Sequence, residues 1–231
     1  MTLSIQTADG SFNCHVARPT SPGPHPVVVV LQEIFGVNAG IRSIAADYAA
    51  KGFIAVCPDL FWRAEPGLDL SEARDGDWTK GFALYSAYDR DKGVQDIAAT
   101  VTAARIMAGS NGKVGVTGYC LGGLLTYLSA ARCDADAFAA YYGGGTEQYL
   151  DEAARITRPM IYHLANEDEY IDRAAQARIN QALGGKPNVQ VFNYPGRNHA
   201  FARPGGHHFH AGDAALANGR TDAFFTQQLA M

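Results

Sequence analysis

Lys113-Val114-Gly115-Val116-Thr117-Gly118-Tyr119-Cys120-Leu121-Gly122-Gly123 runs from a β-branched segment, through a glycine-flanked turn, into an apolar helical segment. Strand, sharp turn and helix with G-x-C-x-G at the turn form a nucleophile elbow in which cysteine replaces the commoner serine. The glycines are needed because the turn is tight and packs backbone against backbone. The Cys120 sulfur is then held at a helix N-terminus, which lowers a thiol pKa from its free value of about 8.5; a nearby histidine lowers it further. The competing reading makes Cys120 a small buried residue in a glycine-rich turn, a common place for free cysteine. The strand before it and the helix after it favour the chemical role. Cys14, Cys57 and Cys133 lack this setting and are read as structural thiols.

Working outward, Val27-Val28-Val29-Val30-Leu31 is a short apolar run without polar alternation, as expected of a strand buried on both faces of a parallel sheet. Phe53 to Cys57, Ala137 to Tyr142, Met160 to Leu164 and Val189 to Asn193 read as further strands. Helices are expected over Ile41 to Lys51, Lys92 to Ala108, Leu121 to Ala131, Ile171 to Leu183 and Ala214 to Gln228. Leu3 to Gln6 and Phe12 to Ala17, parted by Asp9-Gly10, suggest a hairpin. Leu60 to Lys80 reads as irregular, a candidate lid. Alternating β and α elements imply a mostly parallel sheet with helices on both faces. Reactive groups then belong in loops at the carboxyl ends of strands.

Two such loops carry the chemistry that a cysteine nucleophile needs. Met160 to Leu164 opens into Ala165-Asn166-Glu167-Asp168-Glu169, and Val189 to Asn193 opens into Tyr194-Pro195-Gly196-Arg197-Asn198-His199. The chain order nucleophile, acid, histidine is that of the α/β-hydrolase fold. His199 is the candidate base and Asp168 the group that fixes its tautomer and orientation. Glu167 and Glu169 remain open as alternative acids. His163 lies inside an apolar strand and is read as a satisfied core histidine. His207, His208 and His210 are read as a flexible surface in preference to a metal cluster.

The 231 residues are 47% hydrophobic and 18% charged, with a formal net charge of −4, which fits one globular domain over 1–231. No basic patch of the nucleic-acid-binding kind stands out. The start has no basic and apolar leader pattern, and the apolar run of Val27 to Leu31 is too short to span a bilayer. A cytoplasmic protein with free thiols is expected, acting on a small molecule as a monomer without nucleic acid or membrane.

Gln32-Glu33-Ile34-Phe35-Gly36-Val37-Asn38, Cys57-Pro58-Asp59-Leu60, Gly118 to Gly123, and Gly196-Arg197-Asn198-His199-Ala200-Phe201 together resemble the dienelactone hydrolase (carboxymethylenebutenolidase) family, over nearly the whole chain and in the same order. The resemblance implies an α/β-hydrolase fold and a role for Glu33, a buried carboxylate that interacts with the resting thiol and is displaced by substrate. By spacing alone, Glu33 would read as a solvated loop residue. The resemblance also places the family's acid at Asp168 and the oxyanion-hole N–H groups at Ile34 and Leu121. Of two arginines that grip a substrate carboxylate in the family, one matches Arg203 and the other falls at Trp78. Ala200 stands where a serine is usual. Arg63 and Arg74 are candidates for the missing cation, and Phe35 and Tyr85 for an aromatic substrate wall.

The expected activity is hydrolysis of a small lactone or ester through a Cys120 acyl-thioester, with no cofactor and no metal. A broad short-chain carboxylesterase, altered at Trp78 and Ala200, is the alternative within hydrolases. A non-catalytic binding module and a redox-sensing thiol protein are the alternatives outside them.

Overall fold

The computed structural model describes residues 2–230; Met1 and Met231, the ends of the expected 1–231 domain, lie outside the described residues. Val27 to Leu31 explains the architecture. All five side chains are fully buried, yet they divide between two cores: Val27, Val29 and Leu31 point into one, Val28 and Val30 into the other. With period-2 alternation, a strand loses polar residues only when both faces are covered. Each buried Val or Leu contributes about 1.5–3 kcal/mol relative to exposure, so this one strand ties the two layers together.

Among the described residues, eight strands form one sheet, here numbered β1 (Thr2–Thr7), β2 (Gly10–Ala17), β3 (His25–Leu31), β4 (Ile54–Pro58), β5 (Ser110–Tyr119), β6 (Ala137–Tyr141), β7 (Met160–Ala165) and β8 (Val189–Tyr194). Their order is β1-β2-β4-β3-β5-β6-β7-β8. The pairs from β4 to β8 are all parallel. The expected hairpin of β1 and β2 joins the edge through an antiparallel pairing of β2 with β4. Helices α1 (Ala39–Ala50) and α6 (Ala211–Gln228) cover one face, and α3 (Arg90–Ile106), α4 (Leu121–Arg132) and α5 (Arg173–Leu183) the other. Helix starts follow their caps: Asn38 accepts from the Ile41 N–H and Asp172 from the Ala175 N–H.

The stretch expected to be irregular over 60–80 contains the start of a helix, α2 (Asp77–Ala87), and two short 3-10 turns, Thr146–Gln148 and Leu150–Arg155, were also unforeseen. Helix α2 has a weak opening signal, since its N-cap is Gly76 at φ 81° with no side-chain cap. Its apolar residues Trp78, Phe82 and Tyr85 line a cavity, with Trp78 and Tyr85 only partly buried at the edge of the core. Among the described residues, no helix is long and apolar enough to cross a membrane.

His163 on β7 is fully buried with both ring nitrogens occupied, Nδ1 2.8 Å from the Tyr194 hydroxyl and Nε2 3.0 Å from Thr221 Oγ1. Burial, with a smaller push from Arg220, lowers its pKa to about 3, so the ring is neutral.

Candidate active site

At the turn from β5 into α4, the backbone crosses itself at very short range. A Cβ on Gly118 would lie 2.2 Å from the Gly122 carbonyl oxygen, and one on Gly122 would lie 2.6 Å from that of Leu31. Only glycine fits either position. Cys120 between them is forced to φ 56°, ψ −115°, a strained conformation for a residue with a side chain. The three non-glycine residues at positive φ among the described residues are Cys120, Tyr142 and Ala200, and all three surround the same site. Cys120 is half-buried, whereas Cys14 and Cys57 are buried, and burial pushes the Cys14 thiol up to about 12.

The loops after β7 and β8 meet beside this turn. His199 Nδ1 lies 2.9 Å from Asp168 Oδ2 and 3.1 Å from Oδ1, with both side chains buried. Asn198 Oδ1 stitches the loops, accepting from the His199 N–H at 2.6 Å and the Glu169 N–H at 3.0 Å. Asp168 Oδ1 also accepts from the Tyr170 N–H, which fixes the carboxylate. Of the three carboxylates left open as the acid, Asp168 is the one in contact with His199: Glu167 pairs with Arg173 at the surface, and the exposed Glu169 carboxylate lies 3.7 Å from His208 Nδ1.

The His199 ring is held edge-on between Tyr142 and Tyr170, at centroid distances of 5.1 and 4.8 Å. Its Nε2 is buried without a hydrogen-bond partner. Burial disfavours the imidazolium, but the charge of Cys120 and the bond to Asp168 outweigh it and raise the His199 pKa.

Cys120, Ile34 and Leu121 line one inner cavity of about 210 Å³, together with Phe35, Trp78 and Tyr85. Leu121 opens α4, so its N–H has no intrahelical acceptor. Trp78 stacks on Phe82 at 5.5 Å and meets Phe35 edge-on at 5.0 Å. Tyr85 carries Arg90 over its ring at 4.9 Å.

Glu33 is buried at the end of β3, but not on the thiol as the family resemblance implied. Its Oε2 lies 2.8 Å from Arg203 Nε, an ion pair without hydrogen-bond alignment, and its Oε1 has no partner. Arg203 also pairs with Glu72 and lays its guanidinium over the Phe35 ring at 5.3 Å. The nearest strong positive charge has captured the carboxylate. The substitute arginines are engaged elsewhere: Arg63 binds Asp96 and Asp9, and Arg74 binds Asp77 and the Asp69 carbonyl. Neither lines the inner cavity.

Glu72, Tyr142, Tyr170 and Asn198 contact the candidate site residues and were missed by sequence reasoning. Tyr142 follows β6 at the carboxyl edge and Tyr170 follows Asp168 by two, which are faint signals; Glu72 has none. His208 Nδ1 contacts the His199 carbonyl at 3.1 Å, and His210 Nδ1 caps α6 by accepting from the Asp213 N–H. Among the described residues, no group of three or more histidine, cysteine or acidic side chains is arranged to hold a metal ion.

The model of the dienelactone hydrolase family matches residues 12–229. The chain belongs to that family. A carboxymethylenebutenolidase from Pseudomonas putida is 38% identical over 219 residues, covering 94% of this chain and 92% of its own. A candidate carboxymethylenebutenolidase from Azospirillum brasilense is 45% identical over 222 residues, with 96% and 95% covered. The crystal structure of a candidate dienelactone hydrolase from Klebsiella pneumoniae matches with a TM-score of 0.86 at 28% identity, covering 98% of both chains. As a member of the dienelactone hydrolase family with an α/β-hydrolase fold, the protein is a carboxylic-ester hydrolase.

Proposed function

We propose that this dienelactone hydrolase family member opens a small lactone or ester through an acyl-thioester on Cys120. The observation that carries this reading is the buried His199–Asp168 pair, which leaves an unpartnered Nε2 beside the strained Cys120 turn.

Cys120 as thiolate attacks the carbonyl carbon, and the carbonyl electrons move onto oxygen. The Ile34 and Leu121 N–H groups hold that oxyanion; one such donor is worth roughly 10²–10³ in kcat. Collapse expels the alkoxide or enolate, which takes its proton from His199 Nε2. Neutral His199 then removes a proton from water, hydroxide adds to the thioester, and the thiolate leaves. Asp168 keeps Nδ1 protonated so that Nε2 faces the reaction. A lactone leaving group stays tethered, and an enol lactone leaves as a stabilised enolate, which suits a thiol nucleophile. Phe35, Trp78 and Tyr85 form the wall against which the substrate lies, with Arg203 at its rim. Glu33, anchored on Arg203, keeps a negative charge in the cavity that opposes thiolate formation until substrate enters.

The test compares kcat/KM for a dienelactone and for p-nitrophenyl acetate, with Cys120→Ala as the blank, and seeks an acyl adduct on Cys120 by rapid-quench mass spectrometry. Loss of both activities in the variant and an adduct on wild type are expected. Full activity in Cys120→Ala would sink the proposal.

A further inference from the structure

The inner cavity shares lining residues with an outer one of about 980 Å³, and Arg203 stands on the wall of both. Among the described residues lining these cavities, Arg203 is the single arginine or lysine. The same two cavities are lined by five carboxylates: Glu33, Asp69, Glu72, Glu147 and Glu169. Asp69 is taken up by Arg42. Glu33 and Glu72 both lie on Arg203 itself.

Glu72 is held in place by two further restraints. Its Oε1 accepts from the His207 N–H at 3.0 Å, so the carboxylate spans Arg203 and the segment following His199. The loop that carries it is anchored: the Leu70 N–H donates to the Phe35 carbonyl at 2.9 Å, Asn38 Nδ2 donates to the Leu70 carbonyl, and the Ser71 N–H donates to Asp77. The guanidinium thus has one edge on Glu33, one end on Glu72 and one face on Phe35. Two carboxylates on one cation leave a local charge of about −1, and a third carboxylate would meet repulsion inside a partly desolvated pocket. The position where the family resemblance places a second arginine holds Trp78, stacked on Phe82.

We propose that Glu72 is a specificity-determining residue that closes Arg203 to a substrate carboxylate, so that the hydrolase acts on uncharged aryl esters or lactones. The inference rests on the reading that Cys120 attacks an ester in the inner cavity. It separates this chain from one that selects an anionic lactone by an open arginine.

The experiment uses two aryl esters of equal length, p-nitrophenyl butyrate and the p-nitrophenyl hemiester of succinate, which differ by a methyl against a carboxylate. Wild type should favour the butyrate by about tenfold or more in kcat/KM, and Glu72→Gln should narrow that ratio by about fivefold, chiefly through the KM of the hemisuccinate. A purely structural role for Glu72 would move both esters in parallel and leave the ratio fixed. In wild type alone, salt should lower the KM of the hemisuccinate by screening repulsion, and leave that of the butyrate in place. Parity or a preference for the hemisuccinate in wild type, a KM for it that rises with salt, or an unchanged ratio in Glu72→Gln would each overturn the inference. Turnover surviving in Cys120→Ala would instead overturn the cysteine reading, a failure that the wild-type ratio does not share.

Discussion

Arg203 Nε lies 2.8 Å from Glu33 Oε2, so a residue late in the chain holds the buried carboxylate two residues past β3. The other oxygen, Oε1, is buried and unpartnered, an arrangement that costs free energy and leaves the carboxylate poised to move. With Glu33 neutralised, the inner cavity loses a negative charge near the thiol, and the thiolate is favoured. Glu33→Gln should raise the rate of iodoacetamide alkylation at neutral pH, on the order of tenfold if one pKa unit of electrostatic penalty is removed. Alkylation at the wild-type rate would show that Glu33 does not oppose the thiolate.

The bond from His199 Nδ1 to Asp168 carries a second prediction. Asp168→Asn keeps the shape but favours the wrong imidazole tautomer, and kcat should fall by about 10³–10⁴ with little change in KM. Glu167→Gln, which alters only a surface pair with Arg173, should stay within about twofold of wild type. Equal losses in the two variants would reopen the choice of acid.

Trp78 offers the converse of the Glu72 experiment. An arginine there would add a cation that neither Glu33 nor Glu72 already neutralises. A charge-assisted pairing is worth about 1.5–3 kcal/mol, so Trp78→Arg should raise kcat/KM for the hemisuccinate by roughly ten- to a hundredfold. The butyrate should lose, because the aromatic contacts with Phe35 and Phe82 go with the indole. No gain for the anion would mean that the acyl arm does not reach Trp78.

What was legible in the sequence is what local constraint writes there. Val27 to Leu31 announced a doubly covered strand because a short β-branched run without polar alternation fits a strand with both faces buried. Gly118 and Gly122 announced the elbow because a Cβ at either position would strike backbone. Helix α2 escaped because its apolar residues Trp78, Phe82 and Tyr85 face a cavity and its cap is a glycine, so the charged surroundings read as loop. The Arg203 cluster was invisible for a different reason. Glu33, Glu72 and Arg203 come from three distant segments, and a contact across 131 positions leaves no local pattern. The proposed specificity rests on that cluster and the proposed mechanism on local motifs, so the mechanism is the more readable of the two.

His163 gives a prediction about acid stability. Burial holds its folded pKa at about 3, well below the ordinary 6.5, so between those values the unfolded chain binds a proton that the folded chain refuses. Stability contributed by the neutral ring is therefore full above pH ~6.5 and is lost as pH falls toward about 3, with a slope near 1.4 kcal/mol per pH unit and a total on the order of 5 kcal/mol. His163→Gln removes the titrating group while keeping a side chain able to reach Tyr194 or Thr221. Its absolute stability at neutral pH should drop, because the replacement fits the two partners less well. Between pH 6.5 and 4, however, its urea stability should decline less steeply than that of wild type, by one proton. Carboxylate titrations are common to both proteins and cancel in the comparison. Parallel decline of the two proteins would mean that His163 is protonated in the folded state, and that the Tyr194 and Thr221 hydroxyls accept from an imidazolium instead of satisfying a neutral ring.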